Sequence, residues 1–386
     1  MSFKRLFSRS LEAAPGRLHF AAHSHHLWPD ASFDGQVECW NDAARLADMK
    51  WDKVMDSVWL EAQAYVADEL GTGDASAIIF AANTHDLLIR LVSACPRRNP
   101  ARLRVLTSDG EFHSARRQLA RWQEDGWLEV ETIAAEPFDS FTARFIDAAR
   151  SGHHDLILVS HVLFGSGRLF DGAVEVAGLA APEGPWVVLD GYHAFMAIDC
   201  PYGHGGGAFY LAGGYKYAMS GEGMGFMHCP DGFGPRPPVT GWYAEFGELT
   251  APPGGGVGYR HDAMRFMGAT FDPSALYRFN AIRRMLAREE LTTSRISAYV
   301  ADLQGQALDV LSGTPLGESE LLNPLDSGPH ARFLAFRSPK AAAWQRQLEE
   351  RQCITDVRGD VLRIGFGLYQ DSEDVAALAR LAADLA

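Results

Sequence analysis

The run Val187-Val188-Leu189-Asp190-Gly191-Tyr192-His193 decides how this chain is read. Three apolar residues followed by an acid and a glycine describe a buried strand that ends in a turn. In an α/β sheet such a strand delivers its last residue to the carboxyl edge, where binding crevices lie. Asp190 is thereby aimed into a crevice. Downstream, Gly213-Gly214-Tyr215-Lys216-Tyr217 sets a lysine among small residues, and Gly221-Glu222-Gly223-Met224-Gly225-Phe226 returns the chain. A carboxylate and an amine on successive strand-loop units can face the same crevice. Taken singly, an Asp after a hydrophobic strand is usually a turn or cap residue, and a Lys in a Gly-rich loop is usually solvated.

Working outward, apolar runs near 77–82, 103–107, 155–160 and 186–190 alternate with helical segments. That alternation predicts an α/β fold with a mostly parallel sheet covered by helices on both faces. Residues 128–134 and a helix over 139–150 add one unit, a helix over 171–180 precedes Val187, and 207–212 and 224–228 add strands. Val54, Val58, Ala62, Val66 and Leu70 recur at helical spacing and stop at Gly71-Thr72-Gly73, a C-cap signal. Residues 230–258 are rich in Pro and Gly and read as a connector. Ser274 is expected to cap a long helix running to about Leu311 with one break. The tail reads as a small α+β unit: strand 331–337, helix 339–350, strand 361–366 and helix 372–385. The division expected is an N-terminal segment over 1–20 packing with the small domain, a large domain over 21–270 and a small C-terminal domain over 271–386.

Composition narrows the function. Of 386 residues, 47% are hydrophobic and 22% charged, as in a folded globular chain. The net charge of −14 and the lack of a basic run argue against nucleic acid. Cys39, Cys95, Cys200, Cys229 and Cys353 form no CxxC pair, which suits reduced thiols in a cytoplasm. Neither an export signal nor an 18-residue apolar run is read, so no membrane partner is expected. Four histidines in His19–His26 invite a metal, but no interleaved acid or cysteine supports one, and no metal is expected.

Several residues carry candidate chemistry. One Asp and one Lys facing a crevice suit pyridoxal phosphate: the amine forms a Schiff base, and the carboxylate pairs with the ring nitrogen. Thr84, after the strand and Asn83, can open a helix whose free amides attract a phosphate, or be a simple cap. Phe112, at a strand-to-helix junction, can stack on a flat ring or plug the core. Arg363, inside Val361-Leu362-Arg363-Ile364, implies either a bound anion or a structural ion pair.

From about residue 55 onward the chain resembles kynureninase, within the class V aminotransferase branch of the fold-type I pyridoxal phosphate enzymes. The resemblance rests on ordered motifs: Asn83-Thr84, Phe112-His113-Ser114-Ala115, Asp190-Gly191-Tyr192-His193, Tyr215-Lys216-Tyr217, Gly241-Trp242, Thr270 and Arg363. It departs at Ala115, where the family has an acid, at Glu245, where a histidine often stands, and in the segments that hold the aryl group of kynurenine. It implies pyridoxal 5'-phosphate as cofactor, with Lys216 as the Schiff-base lysine, Asp190 on the ring nitrogen and Tyr215 either donating a proton or bonding the cofactor phosphate. Asn83, Thr84, Ser114, Trp242 and Thr270 would serve the phosphate, His193 would support Asp190 or a cofactor oxygen, and Phe112 would restrict the ring. Arg363 would bind the α-carboxylate of an L-amino acid. The reaction implied is hydrolytic Cβ–Cγ cleavage by a homodimer. The alternatives are a class V aminotransferase, a cysteine desulfurase or β-lyase, and, from another class, a pyridoxal-phosphate-binding regulatory protein. A desulfurase needs a mobile nucleophilic cysteine; Cys353 lies near the arginine strand but reads as a strand entry.

Overall fold

The computed structural model describes residues 2–99, 101–199, 207–246, 256–327 and 331–386. Its central sheet has seven strands. Their order is Ile78–Ala81, Gly225–His228, Phe209–Gly213, Trp186–Asp190, Leu156–Ser160, Leu103–Ser108 and Leu128–Ile133. From Leu128–Ile133 across to Phe209–Gly213 every pair is parallel. Gly225–His228 is antiparallel to both of its neighbours. Ile78–Ala81, Leu156–Ser160 and Phe209–Gly213 are buried at every position, because helices cover both faces and leave no polar side. The helices following the strands include Thr84–Ala94, His113–Glu124 and Phe138–Arg150. The register sets Ser160 beside Asp190 and Asp190 beside Leu211, so the carboxyl ends of three strands open together.

The C-terminal unit is a four-stranded antiparallel sheet in the order Asp356–Arg358, Val361–Gly365, Phe333–Arg337, Glu320–Leu321. Helices Ala341–Glu350 and Ser372–Ala382 flank it. Near the N-terminus, Leu18–His19 pairs in parallel with Cys353–Ile354, which ties the first segment to this unit.

The long helix expected from Ser274 is two helices, Ser274–Arg288 and Thr293–Leu311. The break falls where Glu290 takes a left-handed φ of 55° and the Thr292 side chain accepts from the Arg295 amide to cap the second helix. Ser274 is the first helical residue rather than the cap; its amide donates to Asp272 Oδ1 at 2.9 Å. The helix expected over 171–180 is confined to Ala173–Ala177.

Helix Ser274–Arg288 crosses helix Asp30–Leu46 at Gly35, where an added Cβ would lie 2.6 Å from the Tyr277 carbonyl oxygen. That close crossing sets Arg278 to donate to the carbonyls of Ser220 (2.7 Å) and Glu222 (2.6 Å), bracing the loop that follows Lys216. Gly35→Ala is expected to force the helices apart and cost about 1–3 kcal/mol. Urea denaturation measures it; an unchanged midpoint would contradict the crossing.

Candidate active site

The carboxyl edge of the sheet opens into a cavity of about 300 Å³. Six of the residues named from sequence line it: Asn83, Thr84, Phe112, Ser114, Asp190 and His193. Tyr215 and Lys216 complete its floor.

Lys216 is 4% exposed, and its Nζ lies 2.6 Å from His193 Nε2. Burial draws its pKa down to about 7; the nearby Arg363 guanidinium adds to the fall and Asp190 opposes it. Asp190 ends its strand, and its Oδ1 accepts the Tyr192 amide at 3.0 Å. Burial raises its carboxyl above the usual range, opposed by that amide and by Lys216. The Phe112 and Tyr192 rings stand 5.8 and 5.1 Å from the lysine nitrogen. Tyr192 and Tyr215 pack with centroids 4.7 Å apart.

At the other end, helix Thr84–Ala94 points its N-terminus into the cavity. Its cap is Asn83, whose Oδ1 accepts the Asp86 amide at 2.9 Å; Thr84 is the first helical residue, not the cap. Gly225 lets the antiparallel strand press against this turn, since a Cβ there would come within 2.5 Å of the Asn83 carbonyl carbon. The remaining helix amides and the hydroxyls of Thr84 and Ser114 form a seat for an anion.

Three residues named from sequence lie elsewhere. Trp242 is 41% exposed and packs at a tilt against Tyr243 with centroids 4.0 Å apart, outside the cavity. Thr270 is exposed and does not line the cavity either. Arg363 is buried behind the Phe164 ring, 4.4 Å from its centroid, and already has protein partners. Its Nε donates to Asp356 Oδ2 at 2.8 Å, a second nitrogen contacts the same oxygen, and a third donates to the Phe164 carbonyl at 2.7 Å. One donor on each terminal nitrogen is left over, because a guanidinium carries five.

Other residues at the site went unread in the sequence. His85, Ser160, Val162, Phe164 and Tyr192 line the cavity. Behind it the buried Glu111 accepts from Ser108 and Ser160, and burial lifts its pKa to about 7. His23 is fully buried, its Nε2 3.7 Å from Asp356 Oδ2 and its ring 4.7 Å from Phe333. Spacing gave no signal for Glu111 and His23, because the contacts that place them beside the site, with Ser160 and Asp356, are remote in sequence. Among the described residues no group of three or more His, Cys, Asp or Glu is placed to hold a metal ion.

The donor set fits pyridoxal phosphate. Asp190 suits the ring nitrogen, Lys216 the aldehyde, Phe112 the ring face, and the helix N-terminus the phosphate. His193 Nδ1, buried without a hydrogen-bond partner, has spare capacity beside the ring site.

Known proteins agree in architecture. A cysteine desulfurase from Thermococcus onnurineus NA1 superposes with a TM-score of 0.80 at 17% identity, covering 100% of this chain and 99% of that one. The cystine C-S lyase C-DES gives 0.79 at 15%, covering 97% and 99%. The fold is that of the fold-type I pyridoxal phosphate enzymes. In sequence, isopenicillin N epimerase of Streptomyces clavuligerus is 26% identical over 295 residues, 71% of this chain and 72% of that protein. No family model matches the chain.

An amine attacks an aldehyde only when unprotonated, so Lys216 should react from neutral pH upward. Borohydride trapping of added pyridoxal phosphate should label Lys216 with a rate that rises with pH and is half-maximal near 7. A midpoint near 10 would mean that the amine is solvated.

Proposed function

We propose that this chain is a pyridoxal-phosphate-dependent enzyme of the class V aminotransferase type that acts on an L-amino acid and cleaves a bond at its Cβ, as a β-lyase does. The observation that carries it is the buried Lys216 amine and the Asp190 carboxyl facing one cavity with a helix N-terminus at its far end. When bound, the cofactor supplies an electron sink for the carbanion left at the substrate Cα.

The chain's own residues do the rest. Lys216, with its pKa near 7, is poised to take a proton from Cα and return it. His193, 2.6 Å away, orients that amine. Asp190 would pair with the ring nitrogen of the bound cofactor. Tyr215 and Tyr192, whose hydroxyls burial keeps protonated, stand with their rings 5.9 and 5.1 Å from the lysine nitrogen and can donate protons. Arg363 takes the α-carboxylate through its two spare donors while Asp356 fixes the plane of the guanidinium.

A lyase is favoured over kynurenine hydrolysis by two observations. The solved structures named above are a cysteine desulfurase and a cystine C-S lyase, and the sequence relative is an epimerase of isopenicillin N; none is named for kynurenine. The space adjoining the cavity is lined by His85, His113 and Arg116 rather than by apolar walls suited to an aryl ketone. A desulfurase that relays sulfur through Cys353 does not fit: that thiol is fully buried, and burial lifts its pKa to about 12. Trp242 and Thr270, outside the cavity of their own chain, are assigned to the cavity of a second copy in a cytoplasmic homodimer. The mass in solution tests this, and a fully active monomer would refute it.

Added pyridoxal phosphate should give a visible absorbance band that Lys216→Ala abolishes. Arg363→Ala should raise the half-saturating amino-acid concentration at least about tenfold, because a buried bidentate contact is lost. Assays with cystine, cysteine, kynurenine and amino-acid/2-oxo-acid pairs separate the reactions: release of a 2-oxo acid and a thiol product supports the lyase, whereas anthranilate returns the reading to kynureninase.

A further inference from the structure

A second, larger groove of about 840 Å³ adjoins the cavity and shares Asn83, His85 and Ser114 with it. One wall is the first three turns of helix His113–Glu124, which contribute His113, Arg116, Arg117 and Arg121. Glu124 is the only acid on the lining. In a chain of net charge −14, this is a local reversal of sign.

The arginines differ in what they already hold. Arg121 is balanced by Glu124 at 3.6 Å and Asp125 at 2.5 Å. Among the described residues, the Arg116 side chain contacts the ring of His113, at 3.0 Å from its Nδ1. Arg117 forms no ion pair with any described residue. The helix adds to the field, for its N-terminus has no side-chain cap and no acid in its first turn. The positive potential extends inward: His113 is held below the ordinary imidazole value by burial, then by Arg116, Arg358 and Arg363. Asp356, the acid in that inner group, is shared between Arg358 at 3.0 Å and Arg363, which leaves one cation in excess. Positive groups therefore stand both at the proposed α-carboxylate anchor and along the groove, with His113 between them.

We propose that this groove is a substrate subsite, and that the substrate is an α-amino acid bearing a second, distal acidic group held by Arg116 and Arg117. The inference rests on the cofactor reading above and deepens it. Arg363 takes the α-carboxylate, the amino group lies at Lys216, and the side chain leaves the cavity past Ser114 to end between the two exposed guanidiniums. A carboxylate, sulfonate or phosphate end would satisfy them equally, since each offers paired oxygens to the planar fork. An uncharged or cationic side chain would leave Arg116 and Arg117 unpaired or repelled.

The test uses the cofactor-loaded full chain and reads the change in its visible absorbance as amino acids are added, without turnover. The probes are L-2-aminoadipate, L-norleucine and L-lysine, alike in reach and different in terminal charge. The wild type should bind aminoadipate about tenfold more tightly than norleucine, with lysine weakest, and added salt should narrow the gap. Arg117→Ala and Arg116→Ala should each erode that preference while leaving norleucine unchanged. Equal binding of the three probes, or a preference that survives the double substitution, overturns the subsite. Equal loss of all probes would mean that the arginines only hold the helix, and a change in mass without a change in selectivity would mean that they face a second copy; either overturns it. If no visible band forms at all, the cofactor reading fails first and this proposal with it.

Discussion

Everything at the site depends on burying an amine and a carboxyl within one cavity. Desolvation penalises both charged forms, which draws Lys216 down to about 7 and pushes Asp190 up. Neither group would stay there without neighbours that bear the cost. His193 meets the amine, and the Tyr192 amide meets the carboxyl. Asp190 gains its place because parallel strands end in step, with Ser160 on one side and Leu211 on the other. The rest of the fold keeps those ends fixed. Helix Ser274–Arg288, locked against helix Asp30–Leu46 at Gly35, holds the loop after Lys216 through Arg278.

Charge at the substrate side follows the same logic. Arg363 is costly to bury, and Asp356 offsets it while fixing the plane of its guanidinium. His23 stands against Asp356 from the N-terminal loop, in space that exists because Gly365 has no side chain. The pairing of Leu18–His19 with Cys353–Ile354 and the bridge between Ala21 and Gly365 bring that loop there. The first residues of the chain thus help to build the wall of a site whose lysine lies some 190 positions later.

The histidine-rich stretch shows how burial changes the meaning of a motif. His23 and His26 are core residues, and burial lowers both to a pKa of about 3. His26 meets the Leu27 carbonyl through its ring, while its amide donates to the Tyr215 carbonyl at 3.1 Å. His25 is exposed and stacks on the Tyr215 ring at 5.0 Å. The cluster therefore packs against the lysine loop as a wall.

By itself the sequence determined the sheet, most of its strands, the helices between them and the pair Asp190 and Lys216. Those features are local: apolar runs, helical periodicity and a residue's place at a strand end are visible without neighbours. Thr84 and Ser274 read as caps in the sequence but are the first helical residues, since capping depends on a residue's own backbone angles and residue type does not set them. Only the tertiary structure decided that Arg363 has an internal partner, that Trp242 and Thr270 lie outside the cavity of their own chain, and that Glu111 and His23 belong beside the site. Each of those facts depends on a contact between segments far apart in the chain. Such contacts are fixed by how helices and sheets pack in space, and no spacing along the sequence records them.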